Sequence, residues 1–241
     1  LEDVTKTEEQ EDALLDIRVC DPASGSGAFL IAANNFLAQR LARIRSDSDY
    51  PPEDQIREAR RDVLQHCIYA IDLNPMAVEL AKVSLWINSA VEDKPLNFLD
   101  HHIKCGNSLI GTNSKLLEGE FPVDAYETSG GRDWHVGNEI RKRVRNENKE
   151  RSKGSSESSL QQWGAGKEEY VDIAERLDEI DEEDTEDIEK KRELYNELQQ
   201  SEAYQQEKLA YDIWTAAFYW PMDDSTKEYP SPSTIEKVRR N

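Results

Sequence analysis

Asp21-Pro-Ala-Ser-Gly-Ser-Gly-Ala-Phe-Leu30 is the stretch on which the fold turns. Before it, Ile17-Arg-Val-Cys20 is a brief β-type run that stops at Asp21-Pro22. After it, Phe29, Ala33, Leu37, Leu41 and Ile44 recur at helical spacing. A strand, a glycine turn and a helix in that order open a parallel α/β arrangement. Glycines in the turn let the backbone approach a ligand with no Cβ in the way. The new helix offers unpaired N–H groups and a partial positive charge, which suit a carboxylate or a phosphate. A nicotinamide fingerprint wants a third glycine where Leu30 stands, and a phosphate loop wants Gly-Lys-Ser or Gly-Lys-Thr; the turn has neither.

Downstream, Ser46-Asp-Ser-Asp-Tyr-Pro-Pro52 breaks the helix, and a polar helix over about 53–65 follows. Cys67-Ile-Tyr-Ala-Ile71 is a continuous apolar run, expected of a strand buried on both faces. Asp72 ends it. Asn74 and Pro75 then supply an N-cap and a first helical residue, with Ala77, Leu80, Ala81, Ser84 and Leu85 as the apolar face. A third strand is expected near Ile103-Lys-Cys105, ending at Gly106-Asn107-Ser108-Leu109. A carboxylate at the position of Asp72 can accept both hydroxyls of a ribose. Open α/β sheets bind ligands outside the carboxyl ends of their strands. The glycine turn, Asp72 and Asn107 all fall at such ends, and that convergence is stronger than any one motif.

Residues 1–117 thus read as the cofactor-binding part of an α/β fold. Residues 118–166, rich in Gly, Ser and charge without periodicity, read as a flexible polar linker. Residues 167–208 read as a charged helical hairpin, with Val171, Ala174 and Leu177, then Ile188, Leu194 and Leu198, at helical spacing and Thr185 as an N-cap. Residues 209–241, opening on the aromatic stretch Leu209–Trp220, are expected to return to the α/β body and bury there. For Trp214–Trp220, core packing outweighs a base-stacking platform.

The chain has 241 residues and begins at Leu1, and it reads as an excised piece of a longer protein. It shows no signal peptide and no apolar run long enough to span a bilayer, so no membrane partner is expected; three scattered cysteines fit a cytoplasmic, reducing setting. Cys20, Cys67 and Cys105 lie far apart and fit small buried hydrophobes beside central strands better than a disulfide framework or a zinc site. His101-His102 could be catalytic by residue type, although a family resemblance implies a structural turn, and no metal ligand is assigned. The net charge of −20 leaves little for phosphate contacts, which come from Lys and Arg. A salt-loving source with an acidic surface and the loss of a basic part are compatible explanations. The basic cluster is Arg141-Lys-Arg-Val-Arg145 with Lys149, Arg151 and Lys153. It reads either as a contact for DNA phosphates or as a solvated loop balancing its acidic neighbours.

Three stretches resemble the N6-adenine DNA methyltransferases of the large single-chain restriction–modification and phage-defence kind. Residues 21–30 resemble their first motif, and Ile-Asp-Leu-Asn-Pro-Met-Ala-Val-Glu-Leu-Ala-Lys (71–82) their second. Lys-Pro-Leu-Asn-Phe-Leu-Asp-His-His-Ile-Lys-Cys-Gly-Asn-Ser-Leu-Ile-Gly (94–111) is similar to the third. Tyr211–Trp220 is similar to a segment that such proteins carry after a helical insertion. The likeness covers about residues 15–115 closely and 205–222 loosely.

The resemblance implies a Rossmann-like sheet with a charged helical insertion, S-adenosyl-L-methionine as cofactor, and double-stranded DNA as partner of the full-length protein. By position, Asp21, Ala23, Ser24, Gly25 and Gly27 would line the methionine end, with Ser24 standing where the family often has Cys or Thr. Asp72 would hold the ribose and Leu73 pack on the adenine ring. Asn107, where many relatives have Asp, would lie near the adenine edge, although a turn residue bonding its own backbone is almost as good a reading. The implied chemistry flips an adenine out of the duplex, and its N6 attacks the methyl group in line. The family's catalytic Asn-Pro-Pro-aromatic motif is absent from the sequence, and Asn74-Pro75-Met76 belongs to the second motif. The upstream cofactor motif and a target-recognition domain are also missing, so the chain alone is expected to be inactive. The rival readings are a methyltransferase for protein glutamine or RNA, and a non-catalytic assembly module.

Overall fold

The computed structural model describes residues 2–127, 134–154, 171–223 and 228–240. The chain divides into two compact units, Leu1–Leu109 with Glu175–Tyr195, and Ile110–Ala174 with Asn196–Asn241. These divisions cross the four stretches drawn from the sequence. Among the described residues no helix is long and apolar enough to cross a membrane.

The first unit runs α1 (Glu2–Leu15), β1 (Val19–Asp21), α2 (Ala28–Ser46), α3 (Glu53–Cys67), β2 (Ile68–Asp72), α4 (Pro75–Ser89) and β3 (Ile103–Cys105). The strands form a parallel sheet in the order β1–β2–β3, with Val19 opposite Ile68 and Ala70 opposite Ile103. The fold is α/β, mostly helical, and all three strands end on the same edge of the sheet. On β2, Ile68 and Ala70 are fully buried while Tyr69 and Ile71 are half-buried, so the strand is not sealed equally on both faces. Leu30, Leu37 and Leu41 of α2, Val63 and Leu64 of α3 and Leu85 of α4 complete this core. Truncating any one of these leucines to alanine would cost about 2–5 kcal/mol.

The helix positions match the sequence reading, and so do most of the expected apolar positions: Ala33, Leu37, Leu41 and Ile44 of α2 and Ala81 and Leu85 of α4 lie in or against the core, while Phe29 and Leu80 fall outside it. The buried stripe of α2 is Leu30, Asn34, Leu37, Ala38, Leu41 and Ala42, and Phe29 is exposed. On α4 the buried positions are Val78, Ala81, Lys82, Leu85 and Ser89, and Leu80 faces out. Both helices carry apolar residues over so wide an arc that two phases satisfy a 3.6-residue period. The choice is settled partly by polar groups: Asn34 donates to Asn88 (3.1 Å) and Asn88 donates to Asn35 (3.2 Å), tying α2 to α4. The cysteine expectation holds only for Cys67, which is buried with its thiol pushed up to about 11 by burial. Cys20 and Cys105 are exposed, because they lie on the two outer strands of the sheet.

The second stretch of this unit begins within a helix over residues 171–179 (α7) and continues into α8 (Thr185–Gln200). Asp184, not Thr185, caps α8: its carboxylate accepts from the Asp187 N–H (3.0 Å), and Asp187 accepts from the Asp184 N–H (3.4 Å). In the turn between the helices, Glu182 is fully enclosed. Its carboxylate accepts from Lys191 Nζ (2.9 Å), Asn97 Nδ2 (2.7 Å) and the Phe98 N–H (3.3 Å). Arg61 donates to the carbonyls of Glu182 and Pro95, and Gln65 donates to the Ile180 carbonyl (3.2 Å). The turn is thereby fastened to α3 and to the segment leading into β3.

The second unit holds α5 (Ser114–Glu118), α6 (Trp134–Gly154), α9 (Glu202–Ala216), α10 (Pro232–Arg240) and 3-10 turns at Val123–Tyr126 and Ala217–Tyr219. Its core joins Leu117, Phe121, Tyr126, Ile140, Val144, Ala210, Ala217, Met222 and Ile235. The linker expected over 118–166 is corrected where the residues are described. Residues 134–154 are one helix, anchored by Ile140 and Val144 and by Asn148, whose amide exchanges two hydrogen bonds with the Phe121 backbone (3.2 and 3.0 Å). Residues 128–133 and 155–170 lie outside the described residues. The aromatic stretch Leu209–Trp220 packs in this unit's own core through Ala210 and Ala217 rather than in the α/β core.

Candidate functional site at the strand ends

The parallel register brings Asp21, Asp72 and Cys105 to one edge of the sheet. After β1 the chain turns at once, with the Asp21 carboxylate accepting the Ala23 N–H (3.0 Å). Gly25 and Gly27 both take positive φ, 53° and 85°, which L-residues rarely adopt. At Gly27 a Cβ would stand 3.3 Å from Ala81 on α4, so this glycine also permits the close approach of turn and helix. At Gly25 a Cβ would meet nothing within 4 Å, which leaves open space beside the turn. No side chain caps α2, so its first N–H groups have no side-chain partner.

Asp72 joins the motifs. One carboxylate oxygen accepts the Gly25 N–H (2.8 Å) and the other the Asn74 N–H (2.8 Å). These two bonds, that from Asn74 first, hold its carboxyl below the usual carboxylate range, so it is ionised at neutral pH. Each oxygen keeps a lone pair for a further donor. The Asp72 carbonyl accepts the Gly106 N–H (2.9 Å), and the Ile71 carbonyl accepts the Ser24 N–H (3.2 Å). The three loops are thus stitched through the end of β2. As the sequence suggested, Asn74 caps α4, accepting the Met76 N–H (3.0 Å).

The remaining candidates are placed unequally. Ala23 lies in the turn. The Ser24 hydroxyl is buried there with no hydrogen-bond partner, an acceptor and donor in want of one. Leu73 projects into solvent, 70 % exposed. Asn107 is exposed, and its side-chain oxygen accepts the Leu109 N–H (3.0 Å), so the turn reading describes its present contact.

The sequence reading did not find a cluster of His101, His102 and Asp178, whose potential ligand atoms lie within 4.8 Å of one another. The two imidazoles are tilted over each other at 3.9 Å between centroids, and His101 Nε2 stands 3.9 Å from Asp178. Tetrahedral zinc bonds of about 2.0–2.1 Å require donors about 3.3 Å apart. Burial is the main cause that lowers His101 to about 2 and His102 to about 3, so both are neutral. Only a distant residue, Asp178, completes this cluster, and no local sequence signal marks it.

Comparison with known proteins gives two overlapping family matches. Residues 2–115 match the family described as MmeI, DNA-methyltransferase domain, and residues 66–218 match the one described as Eco57I restriction-modification methylase. A Methanocaldococcus jannaschii protein, RM.MjaORFECS2P, provisionally described as a type II restriction enzyme and methyltransferase, is 35 % identical over 113 residues. That alignment takes in 42 % of this chain and 9 % of the relative. The Escherichia coli type II restriction enzyme and methyltransferase RM.Eco57I is 29 % identical over 132 residues, 47 % of this chain and 13 % of its own. The chain therefore spans only about a tenth of the length of the curated relatives that it matches. No solved structure gives a significant match.

Proposed function

The chain belongs to the Eco57I restriction-modification methylase family, and on that premise we propose that its first unit is the methyl-donor half of a DNA methyltransferase acting on adenine N6. The sheet is then the Rossmann-like sheet of that enzyme class, and the cofactor is S-adenosyl-L-methionine. The observation that carries the reading is the ionised Asp72 carboxylate, bonded to the glycine turn on one side and the start of α4 on the other.

The residues present suit that cofactor. The space beside Gly25, which a Cβ would enter, and the unpartnered Ser24 hydroxyl fit a small polar group at the turn. The uncapped N–H groups of α2 suit a carboxylate. Asp72 has the remaining lone pairs to accept two ribose hydroxyls, and the exposed Leu73 side chain offers an apolar surface to a purine ring. Asn107 can serve the adenine edge by exchanging its bond to the Leu109 N–H for one to the ligand. When bound, the cofactor supplies an electrophilic methyl group. Positioning it is the work of Asp21, Ala23, Ser24, Gly25, Gly27 and Asp72; no residue here is assigned to the attack by N6. The Asn-Pro-Pro-aromatic motif that polarises N6 in this class is absent from the sequence. In our reading, duplex DNA is engaged by the longer protein to which this stretch belongs.

Titration calorimetry of the chain with S-adenosylmethionine tests the proposal. Saturable one-to-one binding that is lost in Asp72→Ala is expected, together with no transfer of labelled methyl groups to DNA. Absence of binding, or binding indifferent to Asp72, would remove the methyl-donor assignment. Methyl transfer by this chain alone would show that the catalytic group has been misjudged.

A further inference from the structure

The second unit carries a feature that the strand-end site does not use. Helix α6 has seven basic and three acidic residues in a chain of net charge −20. Its inner side is fixed in the core by Ile140, Val144 and Asn148. On its outer side Lys142, Arg145, Lys149 and Lys153 follow one another at three- and four-residue intervals, within an arc of about 80° at 3.6 residues per turn. Glu139, Glu147 and Glu150 fall outside that arc. All four cations are exposed, and none has a hydrogen-bond or ion-pair partner among the described residues. Elsewhere on the helix cations are paired, Arg141 with Glu127 (3.0 Å) and Arg143 with Glu139 (3.6 Å).

We propose that this outer face of α6 is a docking surface for the phosphate backbone of duplex DNA. The inference rests on the methyltransferase reading for the choice of occupant and on charge for the site. An overall charge of −20 repels nucleic acid, so attraction has to come from a local surface free of acids. The four cations span about 16 Å of helix axis at 1.5 Å per residue. That length covers about five base-pair steps at 3.4 Å each, a row of phosphates that the row of cations can follow. Exposed lysines and arginine on one face contact phosphates without reading bases, so the expected binding is independent of sequence.

The test is fluorescence anisotropy of a labelled short duplex of arbitrary sequence, titrated with the chain over a salt series. Each phosphate contact adds about 0.9 to the slope of log affinity against log salt. The variant Lys142→Gln/Arg145→Gln/Lys149→Gln/Lys153→Gln should lower that slope by about 3–4, and Arg145→Gln/Lys149→Gln by about 2, with the helical circular dichroism retained. The proposal is overturned by slopes within about 1 of the wild type, or by no duplex binding of the wild type at low salt. Two further outcomes also overturn it: tighter binding of duplex RNA with the same losses, or loss of self-association in sedimentation with DNA binding unaltered. S-adenosylmethionine titration of the same preparations separates the two readings. Cofactor binding with unchanged slopes sinks the α6 surface alone, while lowered slopes without cofactor binding sink the methyl-donor reading alone.

Discussion

Alanine at Gly25 and alanine at Gly27 separate the two duties of the turn. Both residues have positive φ, 53° and 85°. An L-residue in that region costs about 1–2 kcal/mol, and removing glycine's freedom from the unfolded chain returns about 0.4–1 kcal/mol. For Gly25→Ala, where the new Cβ meets nothing within 4 Å, the net cost is about 1 kcal/mol. For Gly27→Ala the Cβ meets the Cα and Cβ of Ala81 at 3.3 Å. Ala81 is fully buried, so backbone must give way, and overpacking adds about 1–3 kcal/mol for a total of about 2–4 kcal/mol. At about 2–4 °C per kcal/mol, calorimetric melting should fall by about 2–4 °C for Gly25→Ala and about 4–16 °C for Gly27→Ala. S-adenosylmethionine at about a hundred times its dissociation constant should stabilise the wild type by about 2.7 kcal/mol. Gly25→Ala should lose most of that gain, because its methyl enters the space assigned to the ligand. Retention of the full ligand shift by Gly25→Ala would refute the placement of the cofactor. Equal stability of the two variants would refute the close-approach argument.

Three other outcomes follow from the same geometry. Asp72→Asn should weaken S-adenosylmethionine binding by about 10–100-fold, the worth of charge-assisted hydrogen bonds. Because its carboxyl is held low by the Asn74 and Gly25 N–H groups, the wild-type contribution should be complete at neutral pH and disappear only as pH falls below the ordinary carboxylate range; a decline near neutrality would contradict this. Glu182→Leu strands the Lys191 ammonium, whose side chain is 1 % exposed, and should cost about 3–5 kcal/mol in urea unfolding, most of it regained in Glu182→Leu/Lys191→Met. Equal stabilities of the single and double variants would argue against the buried pair. His101 and His102 stay neutral in the folded chain, at about 2 and about 3, whereas the unfolded chain takes up protons below about 6.5. Stability is therefore whole above about pH 6.5 and lost as pH falls towards 3, by about 1.4 kcal/mol per pH unit for each ring. A urea series from neutral pH downward should show this slope, and His101→Gln/His102→Gln should flatten it; parallel profiles would count against the assignment.

The strand ends were legible because each is written locally: a short apolar run closed by Asp21 or Asp72, and Asn74-Pro75 announcing a helix. The first residue of the α2 stripe was not, since Phe29 and Leu30 both extend a plausible apolar stripe and only the partners across the core choose between them. Helix α6 was not legible because its apolar anchors, Val136, Ile140 and Val144, are thinly spread among charges, and a buried asparagine supplies the next contact. The N-cap of α8 was misplaced by one residue, although Asp184 and Asp187 have the spacing of a reciprocal cap. Least legible were Glu182 and Lys191. Nothing in a run such as Asp-Glu-Glu-Asp distinguishes the one carboxylate that leaves water, because its partners Asn97 and Phe98 lie more than eighty residues earlier.

The division of the chain has a consequence for its synthesis. The α/β unit is interrupted after Leu109 and resumes at Glu175. A ribosome that has just made β3, which ends at Cys105, must add 77 more residues before Glu182 is in place, a delay of about 4–15 s at 5–20 residues per second. During that interval Asn97, Arg61 and Gln65 are bonded to water alone or to chance neighbours, and the glycine turn stands on an unfinished base. Synonymous changes that slow or hasten translation of the codons for residues 110–174 would then alter the yield of folded protein without altering a single residue of it.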